Sequence, residues 1–306
     1  MGHTMAVGAA IAERFLVARF GEWMTHKTYA FISDGGIQEE ISQGAGRLAG
    51  HLGLSNLIMF YDSNDIQLST ETNAVTSENT AKKYEAWGWN VIQINGNDQD
   101  EIRNALKKAV SEKQRPTLII GKTIMGKGAL DTNGASFERK TSTHGMPLSE
   151  AGASFEKTII NLGGDPEKPF TIFTDVKEYW DKVNKNKLQI AKEKKEKQIQ
   201  WEVENPALAK KLSQFYSAVA PAIDFSSIEQ KPNIASRAAS GVILGYLATK
   251  VENMIVASAD LSNSDKTDGF LKKTKPFVKE DFSGAFLQAG VSELTMAAIA
   301  NGLALH

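Results

Sequence analysis

The chain has 306 residues, 42% of them apolar and 23% charged, which suits a folded protein with room for two cores and excludes a disordered or fibrous chain. Its formal net charge of −1 offers no bulk attraction to nucleic acid or to an anionic membrane, so neither is expected as a partner. It contains no cysteine, which excludes disulfides and thiolate metal sites and fits a cytoplasmic setting.

No apolar run reaches membrane-spanning length. The stretch Ala6–Ala12 looks like a signal-peptide core, but no basic segment precedes it and it continues into Glu13 and Arg14. With Phe15, Leu16, Ala18 and Phe20 it predicts an amphipathic core helix. Thr28–Ser33 predicts a first strand, followed by a helix near 38–52 and a strand at Leu57–Tyr61. A helix over 77–87 leads to a strand at Asn90–Ile94, and a helix over 98–112 leads to a strand at Pro116–Ile120. This alternation predicts an α/β fold with a mostly parallel sheet and helices on its faces. The unbroken apolar character of Leu57–Tyr61 is what burial on both faces requires.

Residues 121–176 read as a long loop region rich in Gly, Ser and Thr, a length that usually carries function or disorder. Residues 177–232 read as a charged helical linker. Lys182, Lys185, Lys187, Lys192, Lys194, Lys195 and Lys197 crowd it, but Glu193 and Glu196 interrupt them, so a solvated helix is favoured over a nucleic-acid patch. A second α/β unit spans 233–306, with a helix over 236–250, strands at 254–258 and 286–288, and a helix from Glu293. Two strands are few for a free-standing sheet, so this unit is expected to be incomplete, as is the first unit, 1–176, at its start.

Six segments carry candidate chemistry. Asp34-Gly35-Gly36 follows the first strand, and Asn64 follows the second. A carboxylate and an amide at the ends of neighbouring strands supply hard oxygens for Mg2+ against a diphosphate, with the Ile66 carbonyl as a third. The plain alternative for each is a turn. The run Gly121–Gly128 comes close to a nucleotide phosphate loop, but Gly128 stands where the metal-binding Ser or Thr belongs, and that reading is rejected. It remains a flexible connection or a mobile loop over a site. Of the five histidines only His144 sits in a Gly/Ser/Thr-rich loop, as an idle surface residue, a general acid/base or a phosphate ligand. Arg237 at a helix start and Ser264 in a loop suit a substrate phosphate, or else an ordinary surface ion pair and a turn. Glu293 opens an almost wholly apolar helix. It is either plain first-turn charge or a desolvated carboxyl with a raised pKa, able to share a proton with a ring nitrogen.

Together these segments resemble the transketolase family of thiamine-diphosphate enzymes, along essentially the whole chain. The family's Gly-Asp-Gly…Asn signature is matched by Ser33-Asp34-Gly35…Asn64, and its Lys-Thr-x-x-Gly-x-Gly loop by Lys122–Gly128. Its His-Gly-Ala-Pro-Leu loop is matched by His144–Leu148, with further matches at Ser258–Leu261, Gly290–Glu293 and Ala298–Ala304. The resemblance implies a parallel-sheet thiamine-diphosphate-binding domain followed by the start of a second α/β domain that binds the cofactor's pyrimidine. It implies Mg2+, replaceable by Ca2+, held by Asp34, Asn64 and the Ile66 carbonyl. Gly35, Glu39, Leu68 and Asp260 are implied to line the cofactor. Glu293 would hydrogen-bond the aminopyrimidine and His144 would serve diphosphate and substrate, both in catalytic roles. Arg237 and Ser264 would hold the sugar phosphate. The implied reaction is ketol transfer from a ketose phosphate to an aldose phosphate, in the pentose phosphate pathway, by a homodimer in which Glu293 acts across the interface.

Three departures stand out. Ser33 replaces the first Gly, and Gly44 stands where the family often has an interface Glu. Family members also extend beyond both ends of this chain. A fragment with negligible activity by itself is therefore expected, and a non-catalytic cofactor-binding or interaction protein is the rival reading. Deoxyxylulose-phosphate synthase, a sister family, fits the His144 loop and the Ser258–Ser264 segment less well.

Overall fold

In the computed structural model, which describes residues 1–217 and 219–306, four strands build one parallel sheet. They are β1 (Thr28–Ser33), β2 (Leu57–Ser63), β3 (Asn90–Asn95) and β4 (Thr117–Lys122), in spatial order β1-β2-β4-β3. The register sets Ser33 opposite Asp62 and Ser63 opposite Lys122, so every strand delivers its carboxyl end to one rim. Alternation along β2 splits its side chains between two cores. Leu57, Met59 and Tyr61 join the main core, while Ile58 joins a smaller one with Ile119, Ala105 and Ala109.

The first helix, α1 (Gly2–Phe20), is buried on most of its sides rather than along one stripe. Val7, Ala10, Ile11 and Phe15 are buried, and so is Glu13. The single helix expected near 38–52 is two: α2 (Asp34–Gln38) and α3 (Glu40–His51), interrupted at Glu39, whose ψ of 130° leaves the helical region. Helix formation thus starts on the Asp-Gly-Gly segment itself, where Ser33 Oγ accepts the Gly36 N–H at 3.3 Å. Then come α4 (Thr80–Ala86) and α5 (Gln99–Ser111), capped by Asn79 and Asp98. On the α5 side the cover does not reach β1, and Phe31 is left 82% exposed.

The region 121–176 is mostly loop, with one short helix, α6 (Phe155–Asn161). Of the two helices after it, α7 (Thr174–Glu204) buries no residue and α8 (Pro206–Phe215) buries Leu212. Trp201 anchors the end of α7 against Phe20 and Trp23, at ring separations of 6.3 and 5.1 Å. The remaining elements are α9 (Ser236–Leu247), β5 (Val256–Ser258), α10 (Ser262–Asp265), α11 (Asp268–Leu271), β6 (Phe286–Gln288) and α12 (Glu293–Leu305). Strands β5 and β6 pair in parallel. Their Val256 and Phe286, with Ile299 of α12, share the main core with Ile11, Ile32 and Leu57, so both units are built on one core. Helix α12 meets α1 at bare backbone: a Cβ on Gly8 would lie 2.7 Å from the Leu303 nitrogen. Among the described residues no helix is long and apolar enough to cross a membrane.

Candidate active site

The β1–β2 register places Asp34 one residue beyond the paired strand ends and Asn64 two beyond, side by side on the rim. Asp34 is 2% exposed and Asn64 6%. The Tyr61 O–H donates to Asp34 Oδ1 at 2.6 Å. The N–H groups of Asn64 and Asp65 donate to Asp34 Oδ2 at 3.0 and 3.1 Å. Burial holds the Asp34 carboxyl above its ordinary pKa against the pull of these donors. Burial, then the bond to Asp34, pushes the Tyr61 phenol up.

Asn64 Oδ1 accepts the Ile66 N–H at 3.0 Å, a local turn that fixes the chain after β2. The bridge between Ile66 and Glu71 uses the carbonyls of Asp65 and Thr70, which leaves the Ile66 carbonyl out of it. The Asp34 carboxylate thus adjoins Asn64, with the unused Ile66 carbonyl two residues on; a carboxylate, an amide oxygen and a carbonyl are the donor types of a hard cation such as Mg2+. Among the described residues no cluster of three or more His, Asp or Glu offers an alternative metal centre.

The surroundings fit a bound diphosphate cofactor. A Cβ on Gly35 would meet nothing within 4 Å, so protein packing does not demand glycine there and the backbone is open to a ligand. Gln67 Nε2 and His144 Nδ1 are buried without a hydrogen-bond partner. Buried polar atoms of this kind call for a partner that the chain itself does not supply. Both lie close by. A Cβ on Gly145 would sit 3.1 Å from Leu68 Cδ1, so the His144 loop leans on the segment after β2. A Cβ on Gly126 would sit 3.6 Å from Thr143, which ties in the Lys122–Gly128 loop, and Lys122 Nζ pairs with Asp65 Oδ1 at 2.7 Å. The first four segments singled out in the sequence are thus assembled on one rim.

The other two are not. Glu293 is exposed within this chain, which fits plain first-turn charge rather than a desolvated carboxyl. The apolar residues of α12 divide: Ala298 and Ile299 turn inward, while Leu294 is 73% exposed, as is Val291 just before the helix at 77%. An apolar helix therefore leaves Glu293 and Leu294 of its first turn uncovered within this chain, while Thr295 is buried. Arg237 in the first turn of α9 and Ser264 in α10 are exposed, as is Glu39 between α2 and α3. Asp260 is exposed with a left-handed φ of 67°, and with Arg47, His51 and Gln288 it lines a cleft of about 280 Å³ at the carboxyl ends of β5 and β6. Among the described residues no hydrogen bond joins Glu293, Arg237 or Ser264 to Asp34. Sequence reading missed Tyr61 and Gln67. The signal for Tyr61 was available, as a polar phenol on the inward face of β2 at the strand's carboxyl end.

Residues 1–221 match the family model described as transketolase, thiamine diphosphate binding domain, and residues 232–306 match transketolase, pyrimidine binding domain. Transketolase from Staphylococcus epidermidis is 36% identical over 324 residues, and that from Bacillus subtilis 35% over 318, each alignment covering 100% of this chain. The chain spans 46% of the length of both relatives. Among solved structures, transketolase from Leishmania mexicana superposes with a TM-score of 0.90 at 30% identity, over 99% of this chain and 45% of that one. A Pichia stipitis transketolase in complex with sedoheptulose 7-phosphate superposes at 0.88 and 27% identity, over 99% of this chain and 46% of that one. With both of its halves matched in order by the two domain models, the chain belongs to the transketolase family.

Proposed function

We propose that this chain holds thiamine diphosphate through Mg2+ at the rim of its first sheet and contributes that site to a cytoplasmic transketolase of pentose phosphate metabolism. The reaction is transfer of a two-carbon ketol unit from a ketose phosphate to an aldose phosphate. The observation that carries the reading is the buried Asp34 carboxylate beside Asn64 and the Ile66 carbonyl, next to the unpartnered Gln67 Nε2 and His144 Nδ1. Asp34, Asn64 and the Ile66 carbonyl hold the metal. Gly35, Glu39, Leu68 and Asp260 line the cofactor, and His144 donates to the diphosphate and substrate. When bound, the cofactor supplies the carbon nucleophile that no side chain offers, and the protein orients it and excludes water.

Glu293 is exposed within its own chain, with exposed Val291 and Leu294 beside it. This supports a homodimer in which the first turn of α12 meets the partner's diphosphate site and Glu293 hydrogen-bonds the aminopyrimidine there. Arg237 and Ser264 then face the sugar phosphate. The working division into 1–176, 177–232 and 233–306 follows: diphosphate site, connecting helices and pyrimidine site. The test is calorimetric titration of thiamine diphosphate with Mg2+ into the chain. Saturable binding that disappears in Asp34→Ala is expected, and a parent chain that takes up no cofactor at any Mg2+ concentration sinks the reading. The exposure of Glu293 within its own chain also favours a second reading, a cofactor binder without turnover. Cofactor uptake with no ketol transfer would select it.

A further inference from the structure

A cleft of about 580 Å³ lies two strands along from Asp34, beyond the carboxyl ends of β3 and β4. Asn95 and Asn97 line it from the turn after β3, Lys122 from the end of β4, and Lys127 and Arg139 from two loops. Those loops are clamped to each other. The Gly128 N–H donates to Glu138 Oε1 at 2.8 Å, and the Arg139 N–H donates to the Met125 carbonyl at 2.9 Å. Lys122 is paired with Asp65. Lys127 and Arg139 form no ion pair among the described residues. The one further carboxylate on the wall, Asp98, is turned to its own helix, where it accepts the N–H groups of Asp100 and Glu101, each at 2.9 Å.

We propose that this cleft is a second anion site, which takes a small phosphate-bearing molecule on Lys127, Arg139 and the amides of Asn95 and Asn97. A guanidinium fork and an ammonium match phosphate oxygens, and side-chain amides add neutral donors. The charges of Lys127 and Arg139 have no internal counter-ion, so a dianion completes them. The position beyond the ends of parallel strands is where open α/β sheets hold ligands. The site needs no metal and does not rest on the thiamine diphosphate reading. It does touch that site: a bound anion competes with Asp65 for Lys122, and the Asp65 N–H holds the Asp34 carboxylate.

The test is titration of inorganic pyrophosphate into the chain in metal-stripped buffer, followed by calorimetry. One site is expected, retained in Asp34→Ala and in the control Lys185→Ala/Lys187→Ala on α7. In Lys127→Ala/Arg139→Ala the affinity is expected to fall by about tenfold or more, with an unchanged circular dichroism spectrum, since both side chains are exposed. The proposal is overturned by a parent chain that does not bind, by affinity in the double variant within about twofold of the parent, or by binding that appears only with Mg2+ and is lost in Asp34→Ala.

Discussion

Tyr61 carries an O–H to the one buried carboxylate of the rim. Its removal leaves Asp34 with two backbone donors and frees one oxygen to rotate. A hydrogen bond to a charged group contributes about 1.5–3 kcal/mol, so Tyr61→Phe is expected to weaken thiamine diphosphate binding about tenfold at fixed Mg2+, read by calorimetry across a Mg2+ series. Equal affinities for the two proteins would remove Tyr61 from the site. His3 makes a separate case. It is 5% exposed, stands edge-on to Trp89 at 6.5 Å and has no partner on either ring nitrogen. Burial, aided by the N-terminal ammonium, lowers its pKa from 6.5 to about 4. Between those values the unfolded chain binds a proton that the folded chain refuses. Stability is therefore complete above pH 6.5 and falls as the pH drops toward about 4, where the loss levels off at about 3 kcal/mol. In His3→Leu the denaturation midpoint should lose this slope, and a slope equal to the parent's would show that other groups carry the acid sensitivity. At this scale Asp34, Asn64 and His144 were legible because each follows a local pattern, a strand end or a Gly-rich loop. Tyr61 was legible only as a phenol at a strand end; its bond to Asp34, like the missing partner of Gln67, is defined by packing alone.

The same contrast holds for elements. Strands and helices were placed within a few residues because hydrophobic period and end-capping are local, as at Asn79 on α4 and Asp98 on α5. The break at Glu39 was not foreseen, since nothing in Gln38-Glu39-Glu40 disfavours a continuous helix. Nor was the reason for Gly44. That residue of α3 faces Thr295 of α12, which is 5% exposed, and a Cβ on Gly44 would run into Thr295 Oγ1. The interface Glu common in the family therefore has no room here unless Thr295 gives way. Gly44→Glu is expected to cost about 2 kcal/mol or more in chemical denaturation, and Thr295→Ala in that background to recover about 1 kcal/mol. Strictly additive effects would mean that the two helices do not meet at this point.

For the whole molecule, the exposed face around Glu293 is where the proposed dimer interface lies. Val291 and Leu294 are large, exposed apolar side chains at a helix start, beside the exposed Glu293 carboxylate. Leu294→Asp puts a charge into the proposed interface and should raise the dimer dissociation constant by about tenfold or more in sedimentation equilibrium. A parent chain that stays monomeric, or a variant that associates as tightly, would place the interface elsewhere. Sequence alone determined the α/β class, the order of elements and the pairing of Asp34 with Asn64, because strand period, apolar runs and the residues just past a strand are written in consecutive positions. Tertiary structure alone decided that both units share one core, that the Asp34 carboxylate is held by Tyr61, that the His144 loop closes on Leu68, and that Glu293 is not buried by its own chain. Each of these depends on which distant surfaces meet, and burial, orphaned donors and close backbone approach come into being only when they do.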